Sequence, residues 1–244
     1  MIAPWRRGSH GRRRAIFRGF SGSVVIGLGL ISILAMPWRL TASLAASDVR
    51  AETMFRELEE KLLAEKSLRL RFKISSEGPV SALLQGQLRL KSGNRVEIDV
   101  SGTYQSKPVK TRFESDGKKM HWTAIGQQFE LETPKALSEA FIVGFTRMGL
   151  LHNLSALLGG EPPDHCDGGV ADWVQVSDFL FAAPDPSIKL RGRSIRFEIA
   201  VEGKNAGEAE FWISPFTRVP VERRQTVHLK TGDLKVAESY EFLE

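Results

Sequence analysis

The sequence predicts a mainly β (α+β) protein built from antiparallel strands, opened by one helix and interrupted by a helical insertion. Three observations carry this. The hydrophobic period changes from 3.6 to 2 after residue 66. Alternating runs then follow one another across short Gly-, Asn- and Asp-containing turns. A single apolar block at helical spacing, about 135–160, breaks the series before it resumes.

The opening helix is "ETMFRELEEKLLAEK" (52–66), where Met54, Phe55, Leu58, Leu62 and Leu63 form one face opposite a charged one. The first strand is "SLRLRFKIS", with Leu68, Leu70, Phe72 and Ile74 alternating against Arg69, Arg71 and Lys73. "GQLRLK" sets Leu88 and Leu90 on one side. "NRVEIDV" does the same with Val96, Ile98 and Val100, and "SGN" joins the two as a hairpin. "KPVKTRFESD" carries Phe113 and turns at Asp116-Gly117 into "KKMHWTA" with Trp122, then "QQFELET" with Phe129. These runs make a meander with one wet and one dry face.

The block "PKALSEAFIVGFTRMGLLHNLSALLGG" is apolar at Leu137, Phe141, Ile142, Phe145, Met148, Leu150, Leu151, Leu154, Leu157 and Leu158. It reads as one or two helices ending at Gly159-Gly160, either buried or covering a cavity. "ADWVQVSDFLFAAPDPSIKL" is ambiguous. Strands resume at "SIRFEIAVEG" (Phe197), "GEAEFWIS" (Phe211), "TRVPVERRQTVHLK" and "LKVAESYEF". The meanders are too continuous for a boundary, so residues 52–244 are expected to form one domain.

The net charge of +5 suggests nucleic acid until it is located. Residues 1–46 hold seven Arg, no Lys and no acid, leaving 27 of the 34 basic residues to face all 29 acids. The folded part is near neutral and no nucleic-acid partner is expected. The Arg-rich start, the apolar run Phe20–Met36 and the small residues of "TASLAAS" read as a signal peptide, "RRRAIFR" suggesting the twin-arginine type. The alternative is an N-terminal anchor, the run being slightly short for a span. Either reading places the protein outside the cytoplasm, in the periplasm of a Gram-negative bacterium or anchored in its inner membrane. One cysteine, Cys166, allows no internal disulfide.

No nucleophile elbow, HExxH, Walker loop or dinucleotide fingerprint is present, so the chain is expected not to be an enzyme and to use no cofactor. In "DHCD" (Asp164–Asp167) three ligand types lie adjacent, but neighbouring side chains converge poorly on one ion. The cluster reads as a solvated loop with a free thiol, and no metal is expected. The histidines 121, 152 and 228 read as structural or exposed.

The order of elements resembles the LolA-like periplasmic outer-membrane lipoprotein carriers and their lipoprotein-sorting superfamily. The matching phrases are Ser67–Phe72 after the opening helix, Leu88–Gly93, and Ser115-Asp116-Gly117-Lys118 with Trp122; the closing hairpins "TRVPVERRQTVHLKTGDLKVAESYEF" match the wider superfamily. The resemblance implies a strongly curved antiparallel sheet, an unclosed barrel, with helices over its concave face. It also implies a non-catalytic monomer carrying lipid or the acyl chains of a lipoprotein, with a role in outer-membrane biogenesis. Candidate cavity residues are Leu70, Phe72, Leu88, Leu90, Ile98, Phe113, Trp122, Phe129, Phe141, Phe145, Phe197 and Phe211. That family has an Arg, tied to ligand release, in the turn written here "LKSGN". Lys91 stands beside the position and lacks the planar fork of a guanidinium. The other reading is an envelope sensor on the same fold, binding an inner- or outer-membrane protein.

Overall fold

The computed structural model describes residues 48–182 and 193–243; the leader read from residues 1–46 lies outside them. The described chain opens with α1 (Val49–Ala64), three residues earlier than the hydrophobic pattern implied, because Asp48 caps it by accepting from the Arg50 amide. Six strands follow: β1 (Ser67–Glu77), β2 (Ala82–Lys91), β3 (Arg95–Tyr104), β4 (Lys107–Asp116), β5 (Lys119–Ala124) and β6 (Gln127–Glu132). The insertion forms α2 (Leu137–Val143), a π-helical turn (Gly144–Met148) and α3 (Leu150–Leu158). After α4 (Val170–Trp173) come β7 (Val174–Phe181), β8 (Arg193–Val201), β9 (Lys204–Ile213), β10 (Pro220–Leu229) and β11 (Gly232–Phe242).

All eleven strands form one sheet in the order β6-β5-β4-β3-β2-β1-β11-β10-β9-β8-β7. Every pairing is antiparallel, and the edge strands β6 and β7 do not pair with each other, so the sheet is not closed into a barrel. The ambiguous segment supplies β7. Its alternation is broken by a register shift between Ser177 and Leu180, where Asp178 takes φ 55°; its second half lies outside the described residues.

Alternation decides which face is dry. β1 is buried at every second residue, with Leu68, Leu70, Phe72 and Ile74 inward and Arg69, Arg71 and Lys73 in water. α1 and the insertion lie on that dry face, and the buried core runs from Ala51 to Tyr240. These residues belong to one compact unit, Leu44–Glu244, which therefore has its own core. α1 is held by Phe55, fully buried with its ring 4.9 Å from Phe197 and 5.2 Å from Phe179. Truncating such a ring leaves a cavity that rigid strands cannot fill. Phe55→Ala is expected to lower the unfolding free energy by about 3–5 kcal/mol, read from urea denaturation.

Candidate functional site

The concave face and its helical cover are the candidate site. Eleven of the twelve predicted cavity residues are buried among the apolar core: Leu70 and Phe72 on β1, Leu88 and Leu90 on β2, Ile98 on β3, Phe113 on β4, Trp122 on β5, Phe141 on α2, Phe145 on the π-turn, Phe197 on β8 and Phe211 on β9. Phe129 on β6 is half-buried. At 0–4 % exposure the buried eleven face protein atoms, not a water-sized void. The rings fall into two groups. Phe113, Trp122, Phe129 and Phe141 meet on one side, with Trp122 stacked on Phe129 at 5.1 Å. Phe145 and Phe211 meet on the other, joined by Phe55 and Tyr240. Phe55, Phe179 and Tyr240 complete the second group and were missing from the sequence-based set.

The insertion is fixed to the sheet by polar groups at its own break. The π-turn ends and α3 begins at Gly149, whose φ of 84° suits glycine. A helix end leaves carbonyls without partners and a helix start leaves amides without partners. The sheet supplies both complements. Arg223 on β10, fully buried, donates from Nη1 to Thr146 O at 2.8 Å and from Nη2 to Arg147 O at 2.7 Å. Its Nε bonds Gln225, and its plane lies 5.5 Å from the Phe197 ring centre and 5.6 Å from that of Phe211. Glu238 on β11 accepts from the Leu150 and Leu151 amides, each at 2.8 Å, and from the Tyr240 hydroxyl. A methyl group at Gly149 would press on these anchors, its Cβ 3.0 Å from Glu238 Oε1 and 3.2 Å from Arg223 Nε.

A buried ion pair ties the same turn to α1. Arg147 donates to both carboxylate oxygens of Glu59, Nη2 to Oε2 at 2.6 Å and Nε to Oε1 at 2.9 Å. Its Nη1 reaches Ala171 O and Val174 O, and Thr146 Oγ1 bonds Glu59. On the other side, Trp122 Nε1 donates to Leu157 O at 3.0 Å, near the end of α3.

Burial pushes the Arg223 guanidinium pKa down, partly offset by Tyr240 and Glu238. Burial and the Glu238 carboxylate raise the Tyr240 phenol well above its ordinary value. Sequence alternation could have found Glu238, an acid on the dry side of Leu234, Val236, Tyr240 and Phe242.

Asp116-Gly117, the most recognisable phrase in the sequence, is a brace. Asp116 Oδ1 accepts from the Lys118 and Lys119 amides, which hold its carboxyl below the usual range. Gly117, at φ 91°, packs where a Cβ would lie 2.3 Å from Gly93 O. Ser115 Oγ bonds Asn94 O, and Asn94 in turn bonds Lys135 O and the Ser138 amide at the start of α2. Lys91 is exposed, in a polar groove with Arg95, Glu114 and His121, and takes no part in the concave face.

The "DHCD" loop differs from the solvated reading at one residue. Cys166 is buried, and its carbonyl accepts from the Ala136 amide at 2.9 Å, while His165 stacks on Trp173. Among the described residues no group of three His, Cys, Asp or Glu is placed to hold a metal, and no helix is long and apolar enough to cross a membrane. His121 and His228 are exposed, bonded to Glu114 and Asp233; His152 is half-buried, 3.3 Å from Asp164.

No family model and no curated protein matches the chain. It is similar to solved structures of LprF from Mycobacterium bovis and of lipoprotein LppX from Mycobacterium tuberculosis. LprF is 12% identical, with 79% of this chain and 93% of that one covered and a TM-score of 0.44. LppX is 12% identical, with 79% and 95% covered and a TM-score of 0.39. A LolA superfamily protein from Nitrosomonas europaea is 10% identical, with 78% and 91% covered and a TM-score of 0.36. At these identities and scores the likenesses do not bear on what the chain binds.

Two predictions follow from the site's geometry. Glu59→Gln or Arg147→Met, each leaving one buried charge unpaired, is expected to cost about 3–5 kcal/mol, and the double variant distinctly less than the sum, in a urea double-mutant cycle. The second concerns alkali. The unfolded chain loses the Tyr240 proton near pH 10 while the folded chain keeps it, so stability falls as pH rises beyond about 10. Tyr240→Phe is expected to flatten that fall in a stability–pH series.

Proposed function

We propose that the protein is an exported, non-catalytic carrier that takes an acyl chain of a lipid or lipoprotein between its sheet and the insertion 137–158. One observation carries this reading. A continuous apolar sheet face is covered by a nearly charge-free segment that is no part of the sheet and is held to it by a few localised polar contacts. With the insertion packed on the sheet as described above, the segment itself occupies the space. Leu70, Phe72, Leu88, Leu90, Ile98, Phe113, Trp122, Phe129, Phe141, Phe145, Phe197 and Phe211 become the cavity lining when it shifts.

Magnitudes constrain the shift. Each buried methylene contributes about 0.8 kcal/mol, so a chain of about fourteen brings about 11 kcal/mol. That exceeds the roughly 3–5 kcal/mol of parting one buried ion pair. It does not cover stripping a whole helix of leucines into water, at about 1.5–3 kcal/mol per side chain. The insertion therefore slides with its apolar side still covered, and the acyl chain replaces contacts as they are lost.

A second reading, an envelope sensor binding an inner- or outer-membrane protein, is favoured by the filled concave face, since a sensor needs no hollow. Solvent extraction of the purified protein followed by mass spectrometry, together with uptake of a fluorescent fatty acyl probe, separates the two. The carrier reading expects bound lipid or slow uptake, accelerated several-fold by Glu238→Gln, which weakens the grip on α3. No lipid, and no uptake by either protein, with a stable membrane-protein complex on pull-down, sinks it in favour of the sensor.

A further inference from the structure

The hairpin between β9 and β10 presents Phe216 to solvent at 87 % exposure. Scattered exposed apolar residues are ordinary on a protein surface. This one differs in how it is held. The Ser214 hydroxyl accepts from the Phe216 and Thr217 amides, the Ser214 carbonyl from the Arg218 amide, and the Ser214 amide donates to Val219 O. Lys61 on α1 clamps the tip from outside by donating to Thr217 O at 3.3 Å. A large ring is thus displayed on a turn whose ordering cost is already met by its own hydrogen bonds.

The rim that carries the ring has an excess of basic charge. Strand pairing places the β2–β3, β4–β5 and β9–β10 turns and the starts of β1 and β8 on one rim of the sheet. Lys66, Lys91, Arg95, Lys118, Arg193 and Arg218 stand there beside Lys61, against Glu65, Asp116 and Glu132. The opposite rim is closer to balance: Lys107, Lys204, Lys230 and Lys235 face Glu77, Glu202 and Asp233. Leu63, at the end of α1 two residues beyond Lys61, is also exposed. An aromatic ring that projects among cations suits a surface with apolar depth beneath an anionic layer.

We propose that this rim docks the domain onto an anionic lipid bilayer. Phe216 enters the boundary between headgroups and acyl chains, while Lys66, Arg193 and Arg218 lie over headgroup phosphates. The docking does not depend on cargo, so it stands or falls separately from the carrier reading.

The test uses residues 48–244, whose core is complete, so that the apolar run Phe20–Met36 cannot insert by itself. The domain is expected to co-sediment with vesicles of equal phosphatidylglycerol and phosphatidylcholine, and poorly with phosphatidylcholine alone or in 0.5 M salt. Phe216→Ser is expected to weaken partitioning about tenfold, and Lys66→Gln or Arg218→Gln about fivefold each. Phe216→Trp is expected to retain it. Circular dichroism checks that the variants, all at exposed positions, stay folded. Equal sedimentation with both vesicle types overturns the proposal, as does undiminished binding by folded Phe216→Ser. Capture of a membrane protein through Phe216 while vesicles are ignored also overturns it and assigns the ring to a protein pocket.

Discussion

The structure depends on how one helix break is satisfied. At Gly149 the insertion stops and restarts inside an apolar core, which leaves carbonyls on one side and amides on the other with no water to bond them. Arg223 answers the carbonyls and Glu238 the amides, from neighbouring strands. A buried guanidinium and a buried carboxylate are costly alone. Here each charge meets groups that would otherwise be orphans, so desolvation on both sides is offset by the same bonds. The break is therefore an anchoring point, and it sets where the insertion sits on the sheet.

The arrangement is directional. One side of the insertion is pinned by charged groups, through Arg223, Glu238 and the Glu59–Arg147 pair, and these tolerate little displacement because bond strength falls steeply with geometry. The other side rests on aromatic stacking and one indole hydrogen bond, Trp122 to Leu157, with Asn94 bracing the entry to α2. Apolar contacts slide at less cost than charged hydrogen bonds. The less charged attachment of the insertion is thus the one beside Trp122 and Phe129, at the β6 edge.

Much of this was legible in the sequence, and the gaps have physical causes. β1 was plain because it is buried on one face only, so its pattern is a strict alternation. Leu137–Leu158 was recognisable as a helical cover, but the π-turn was not, since nothing in "GFTRM" separates a π-turn from an α-turn before Gly149. β7 was hidden by the shift at Ser177, which breaks the alternation. The buried apolar face was legible residue by residue, whereas its polar anchors yield only to a search of the dry face for charges. Glu238 was exposed to such a search. Arg223 was masked by the irregularity between Pro220 and Glu222, which disguises the side it points to, and by its neighbour Arg224, which does face water. Glu59 was lost among Glu57 and Glu60 on a helix read as charged on its outer side.

The strand order has a consequence for how the chain assembles. β1 to β6 and β7 to β11 are each built from sequential neighbours, which pair early because the loops to be closed are short. Among the described strands the two half-sheets pair with each other only through β1 and β11, where Arg71 meets Glu241 across 170 residues. Glu238 and Tyr240 belong to that same late strand, so the insertion cannot be locked until β11 has been made. The eleventh strand is thus a keystone, and a nascent chain lacking it holds two half-sheets and an unfastened apolar helix, the form in which chaperones would meet it.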